Sequence, residues 1–525
     1  MRSRAILPVV GVLVAALVVA AALGFSPARP SRGAADDTVS VLLGEPSTLD
    51  PAAQSDAESA AITAQLFESL TAFDASLTLR PALAASWSIE AEGRRVRFRL
   101  RDGLAFSDGS PLTAADVVRS WLRLVDPGAP SPLAALMLAV SGARERLAGT
   151  VDEEAVGIRA EGNEVVVDLE RPGADLPAIV SGPSFAVVPP AVGTDPASRG
   201  PDGFVGSGGY VLESREGGTL VLRANEHYWA GTPAIGTVRI TTDLAQGSPV
   251  QAFADGDLDY AGIGQADAAW IAYDADLGSS LREIPSFTTE YLGFDTTRTP
   301  FDRPEVRRAI GMAVDWRRVV ELATPDDAIA ATSMVPPDLP GRGAASFLPA
   351  HDPDRARRLL ADAGYPGGRG FPPVTFMSGG TAYAEGILAD LDRELGIRPS
   401  YRTTEFDTFF RRLDREPPEM WTLSWIADYP GRNDFLGVLL GTGATNNYGG
   451  WSSAEFDAAI EDAGSTLDPA RTSAAYARAE RIVQRDVPVV PLAHGRSWAL
   501  ARHGLLGAGT NGLGILRMAG LAWAP

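Results

Sequence analysis

The side chains able to do covalent or metal chemistry are few and badly spaced for it. The four histidines, His227, His351, His494 and His503, form no H-x-x-x-H pair, and no HExxH occurs. There is no cysteine, so a thiolate zinc site, a disulfide, a Cys nucleophile and a lipid-modified Cys are all excluded. Each of the 46 basic residues is an arginine, which removes Schiff-base chemistry. No G-x-S-x-G elbow is present. Gly206-Ser207-Gly208-Gly209 lacks the Gly-Lys-Ser/Thr ending of a phosphate loop and precedes a strand pattern, so it predicts a tight turn. Asp102, Asp108 and Asp116 sit where turns and a helix cap need them. Arg411, Arg412 and Arg415 alternate with Asp414 and Glu416, as on a solvated face. No enzyme activity, cofactor or metal is expected.

One carboxylate stands apart. Asp428 follows Trp425 and Ile426 and precedes Tyr429 and Pro430, in a stretch that reads as the end of a strand. A cation taken out of water needs a compensating anion. A fixed Asp supplies one through a charge-assisted hydrogen bond. The other reading is an Asp that caps a turn before Pro430. Trp425 likewise fits either a flat wall for a ligand side chain or a core packing residue.

The elements that must position these residues are legible from periodicity. Val96, Phe98 and Leu100 alternate with Arg97 and Arg99, as in a half-buried strand, and Leu220 and Leu222 repeat the pattern. Residues 165–169 are more continuously apolar, Asp168 apart, which suggests burial on both faces. Thr113 with Asp116 resembles a capping box ahead of Val117, Val118, Trp121, Leu122 and Val125. Pro304 opens a helix carrying Val306, Ala309, Ile310, Ala313 and Val314 on one face. Further helices are expected from Ser452 with Glu455, over 356–364, and from Asp468–Pro469 to a stop before Pro488.

A chain of 525 residues exceeds what one core serves. Its net charge of −20 argues against nucleic acid and against anionic lipid surfaces. Residues 6–25, preceded by Arg2 and Arg4, are mostly apolar and about 30 Å long as a helix, which suits a long signal-peptide core or a retained anchor. The positive-inside rule then places everything after Ala34 outside the cytoplasm. Residues 26–37 read as a linker.

Several segments in order carry a resemblance: EPSTLDP at 45–51, LFESLTAFD at 66–74, LRPALAASW at 79–87, FRLRDGLAFSDGSPLTAADVVRSW at 98–121, VGSGGYVL at 205–212, LRANEHYW at 222–229, PFDRPEVRRAIGMAVD at 300–315, LLADAGYP at 359–366 and SWIADYP at 424–430. Together they resemble the family 5 solute-binding proteins of ABC importers, the oligopeptide- and dipeptide-binding branch. VDPGAPSPLAALM at 125–137 is similar to an insertion of the oligopeptide binders.

The resemblance implies an α/β, periplasmic-binding-protein-like fold (type II, cluster C) of two lobes with an inserted third subdomain. The expected division is a signal peptide or N-terminal anchor plus linker over 1–36 and lobe I over 37–75, 191–285 and 491–525. The inserted subdomain would cover 76–190 and lobe II 286–490. It further implies a monomer outside the cytoplasm, secreted or membrane-held through its N-terminal segment alone. Its partners would be a peptide ligand and an ABC permease with its ATPase subunits. Asp428 would hold the ligand's α-ammonium, Trp425, Ile426 and Tyr429 would line its backbone, and Tyr291 and Phe406 would reach the cleft. Three departures bear on the ligand's far end. Thr422 stands where some members carry Arg, Leu133 where some carry an aromatic, and Asp295 where the family usually has Asn. The alternatives are a metal chelate or sugar as ligand, or a membrane-tethered interaction protein that lost transport.

Overall fold

The alternating and continuous apolar patterns become strands of separate sheets. The computed structural model describes residues 37–525 apart from 75, 191–203, 246, 285, 325–327, 467 and 511. The apolar run at 6–25 and most of the linker after it lie outside the described residues. No described helix is long and apolar enough to cross a membrane.

A seven-stranded sheet collects strands from three distant parts of the chain. Its order is Leu281–Ile284, Ser497–Ala501, Tyr260–Ile263, Thr38–Leu42, Thr237–Thr241, Thr219–Ala224 and Tyr210–Glu216. Thr38–Leu42 runs parallel to both neighbours, and the outer pairs are antiparallel. Val39, Val41, Leu220, Leu222, Val238 and Ile240 pack with Ile62 and Leu66 of the helix Ala57–Leu66 on one face. Phe253, Ile271 and Leu500 cover the other.

Between the first two strands of that chain order lies a four-stranded sheet, Ala84–Glu90, Arg95–Leu100, Glu164–Asp168 and Ile158–Glu161. Val96, Phe98 and Leu100 point inward beside the helix Ala114–Leu122, whose Trp121 is 1% exposed. Val165, Val166 and Val167 are buried on both faces, as the continuous run predicts. Thr113 and Asp116 form the capping box.

A six-stranded sheet makes the third unit, in the order Ala328–Ala330, Val489–Gly495, Thr288–Phe294, Met420–Ile426, Thr375–Ser378 and Ser400–Thr403. Helices cover both faces. Pro304–Ala313, Trp316–Ala323, Pro353–Asp362 and Ala384–Leu395 pack on Leu292, Phe376 and Met420. Ala454–Gly464 and Pro469–Asp486 pack on Tyr291, Trp421 and Leu423. Two helix starts differ from the sequence reading. Ser453, not Ser452, caps Ala454–Gly464, because its Oγ accepts from Phe456 N at 3.3 Å. Asp352 caps Pro353–Asp362, so that helix begins earlier than residue 356. Val489–Gly495 belongs wholly to the six-stranded sheet. The return to the seven-stranded sheet therefore falls between Gly495 and Ser497, beyond the boundary read at 490/491.

Two glycine positions are dictated by close approach. The Gly206–Gly209 turn packs on the end of Ala57–Leu66: a Cβ on Gly206 would lie 2.1 Å from the Leu66 carbonyl oxygen, and Gly208 N donates to that oxygen at 3.0 Å. Gly293 lies under the Trp421 indole, where a Cβ would meet ring atoms at 2.4 Å. Gly293→Ala is expected to destabilise the six-stranded unit by about 1–3 kcal/mol through overpacking, measured as a lower urea midpoint.

Candidate ligand-binding site

The Met420–Ile426 strand sits inside its sheet at one end and is open at the other. Its register against Thr288–Phe294 pairs Met420 with Phe294 and Ile426 with Thr288. Ala427 N donates to Phe287 O at 2.9 Å. Bonded residues alternate in an antiparallel ladder. Leu423 and Trp425 therefore turn their backbone groups toward Thr288–Phe294, while Ser424 and Ile426 turn theirs away. On that far side Thr375–Ser378 pairs only through Phe376–Met420 and Met377–Trp421. The backbone edge at Ser424 and Ile426 is left open, and Ile426 is 56% exposed.

Asp428 follows directly on this edge and is half-buried. Among the described residues no arginine, histidine or hydrogen-bond donor pairs with its carboxylate. Burial pushes its pKa up to about 7. Its backbone N donates to Asp434 Oδ2 at 3.1 Å, and Trp425 Nε1 donates to the same oxygen at 2.8 Å. Asp434 is 0% exposed, and its Oδ1 has no partner among the described residues. Burial, and next the charge of Asp428, hold the Asp434 pKa well above the usual carboxylate range.

Tyr429 is fully buried and closes the site against a different unit. Its hydroxyl donates to Asp175 Oδ2 at 2.8 Å and accepts from Asn433 Nδ2 at 3.2 Å. Asp175 belongs to the stretch after the four-stranded sheet, and burial raises its pKa too. The contact between these units extends to Ala174 N, which donates to Gly464 O at 2.8 Å. Three carboxylates, Asp175, Asp428 and Asp434, thus lie around Tyr429 and Trp425 with no cation paired to any of them among the described residues.

The remaining sequence-predicted positions fall differently. Tyr291 is 3% exposed and lies within the core beside Trp421 and Leu423, because its place in the strand points it toward Ala454–Gly464 and Pro469–Asp486. A ring reaching an open cleft is not what the structure places there. Phe406 opens the helix Phe406–Arg415, and its side chain lies outside the described ones. Thr422 is buried, with Oγ1 lacking a partner among the described residues. Leu133 is half-buried beside a short 3-10 turn. Asp295 is a loop anchor: it accepts from Thr297 N at 3.0 Å and pairs with Arg298 Nε at 2.5 Å. His494 is buried against Thr289, Nδ1 to Oγ1 at 3.0 Å, and burial lowers its pKa to about 4.

Sequence reasoning missed Asp175 and Asp434. Asp434 carries a faint signal, an acid one and a half helical turns beyond Asp428 with no basic residue but Arg432 near it. Asp175 carries none, since it meets Tyr429 across 254 positions.

An α/β chain of two lobes and an inserted subdomain, with unneutralised acid beside an open strand edge, has the build of a two-lobed solute-binding protein. The chain belongs to the bacterial extracellular solute-binding proteins, family 5: the model described as "Bacterial extracellular solute-binding proteins, family 5 Middle" matches residues 78–447. It is 29% identical over 476 residues to the "Probable deoxycholate-binding periplasmic protein YgiS" of Escherichia coli, covering 85% of this chain and 86% of that protein. It is 28% identical over 454 residues to "Di/tripeptide-binding protein 2" of Pseudomonas aeruginosa, covering 82% and 84%. The structure of the Escherichia coli murein tripeptide binding protein MppA superimposes with a TM-score of 0.77 at 23% identity, covering 94% of this chain and 99% of that one.

Proposed function

We propose that this protein captures linear peptides by their N-terminal ammonium at Asp428 and passes them to an ABC permease driven by its ATPase subunits. The observation that carries this reading is the Asp428 carboxylate, half-buried and without a cation paired to it among the described residues, at the end of the open edge of Ser424 and Ile426. An extended peptide can add its backbone to that edge as a short extra strand, which gives affinity without reading side chains. Its ammonium then neutralises the acid that the fold leaves bare. Trp425 stands beside the edge, held by its bond to Asp434.

The seven-stranded unit with its insertion forms lobe I in this reading, and the six-stranded unit lobe II. The lobes move about the crossings after Ile284 and at 495–497, and a ligand touching both favours the closed form. Thr422 offers no positive charge for a carboxylate, so register is set from the amine end. The protein acts as a monomer without enzyme activity, outside the cytoplasm. Its N-terminal segment serves as a leader or tether without a lipid-bearing cysteine.

The relative named for deoxycholate raises a second ligand class, an amphipathic anion. The carboxylates around Tyr429 oppose it by like charge. Calorimetry on the region from residue 37 with Ala-Xaa-Ala tripeptides, free and N-acetylated, decides between them. Free peptides are expected to bind, with acetylation costing a hundredfold or more. Equal binding of the acetylated set, or saturable deoxycholate binding in its place, would reject the amine reading.

A further inference from the structure

Asp434 has an arrangement that holding Trp425 in place does not require. A neutral amide oxygen would accept the bonds from Trp425 Nε1 and Asp428 N equally well. The protein instead buries a second carboxyl, one oxygen of it without a partner among the described residues.

The groups around it come from several elements. Asp428 precedes it, Asp175 faces it across Tyr429, and Tyr476 stands on the helix Pro469–Asp486. Arg432 is the neighbouring cation, but its guanidinium stacks on the Tyr476 ring at 4.7 Å and reaches Ser473 Oγ at 3.5 Å. Among the described residues no ion pair joins it to Asp434.

Two neighbouring carboxyls, one fully and one half-buried, joined through the Asp428 N–Asp434 Oδ2 bond and with no ion pair among the described residues, do not both ionise readily. We propose that Asp434 is a positioning residue that makes capture proton-linked: the empty Asp428–Asp434 pair retains a proton at neutral pH, and the arriving ammonium displaces it to solvent. This rests on the reading of Asp428 as the amine site. The raised titration of both carboxyls through burial agrees with it.

The linkage has a definite sign. Capture that releases a proton strengthens as pH rises toward the pair's titration range and weakens about tenfold per unit below it. A carboxyl that titrates above its unfolded value of about 4 also makes the ligand-free folded state bind extra protons, so stability falls as pH rises through that window.

The experiment compares the parent and Asp434→Asn, with Ala-Xaa-Ala tripeptides, by calorimetry at pH 7 in buffers of different ionisation enthalpy. Affinities are taken from pH 5.5 to 8, and ligand-free thermal melts over the same range. The parent is expected to release up to about one proton per peptide. Asp434→Asn should release less at pH 7, show a flatter affinity profile from pH 5.5 to 8, and lose less stability over that range. Buffer-independent heats in the parent would overturn the proposal, as would undiminished release by Asp434→Asn. If N-acetylated tripeptides bind the parent as well as free ones, or free ones do not bind, the amine reading fails first and the linkage falls with it. Unequal affinity at pH 8 with an unshifted pH profile would reduce Asp434 to a scaffold for Trp425, which also rejects the proposal.

Discussion

Asp428→Ala is expected to abolish tight capture of free-amine peptides, a loss of a hundredfold or more by calorimetry. Truncating one member of a desolvated charge pair costs about 2–5 kcal/mol, much of it from leaving the partner charge buried alone. Here the stranded partner would be the ligand's ammonium, at about 1.4 kcal/mol per tenfold in affinity. The direction of the stability change separates this from general damage. Asp428 is a half-buried acid, unpaired among the described residues, whose pKa burial pushes up to about 7, so its removal relieves the ligand-free protein near neutral pH and should leave the melting temperature level or higher. Retained affinity in Asp428→Ala would reject the assigned cargo while leaving the two-lobed architecture intact.

The second large effect is on stability. Glu68 is 2% exposed and accepts from Arg517 Nη2 at 2.7 Å to each carboxylate oxygen, from Tyr228 OH at 2.6 Å and from Ser69 N at 3.2 Å. Three parts of the chain meet at this one carboxylate. Arg517→Ala would leave it buried without its cation, and about 3–5 kcal/mol of stability should be lost. The double variant Glu68→Gln/Arg517→Ala removes the stranded charge and should recover a large share. Urea unfolding of the parent, single and double variants measures both. A single variant as stable as the parent would mean that Glu68 is satisfied by Tyr228 and Ser69 alone.

The sequence speaks clearly where one local rule decides. The capping box at Thr113 and Asp116, the helix opened by Pro304 and the long helix begun by Asp468–Pro469 all follow from short-range chemistry, and all are present. The strand before Asp428 is equally legible, since Met420, Trp421, Leu423, Trp425 and Ile426 make it rich in large apolar and aromatic residues. Direction within a sheet is harder. Tyr291 lies on the strand Thr288–Phe294, and whether its face meets helices or a cleft depends on what packs there, which no neighbouring residue announces. Asp295 misleads for a related reason: the nearby Thr297 and Arg298 satisfy it within its own loop. The acid cluster is the least legible part. Asp175 joins it through folding alone, and Asp434 matters because its burial is complete, a property of the assembled core.

One topological fact bears on how the chain reaches its final form. Ser497–Ala501 is an interior strand, seated between Leu281–Ile284 and Tyr260–Ile263. During synthesis the six-stranded unit can assemble from contiguous chain once Gly495 has emerged. The seven-stranded unit waits for residues made still later, and until then Leu281–Ile284 has no place to attach. Its half-built hydrophobic faces stay exposed through most of translation, a window in which aggregation competes with completion. Lesions in this last strand should therefore lower yield more than they alter ligand affinity.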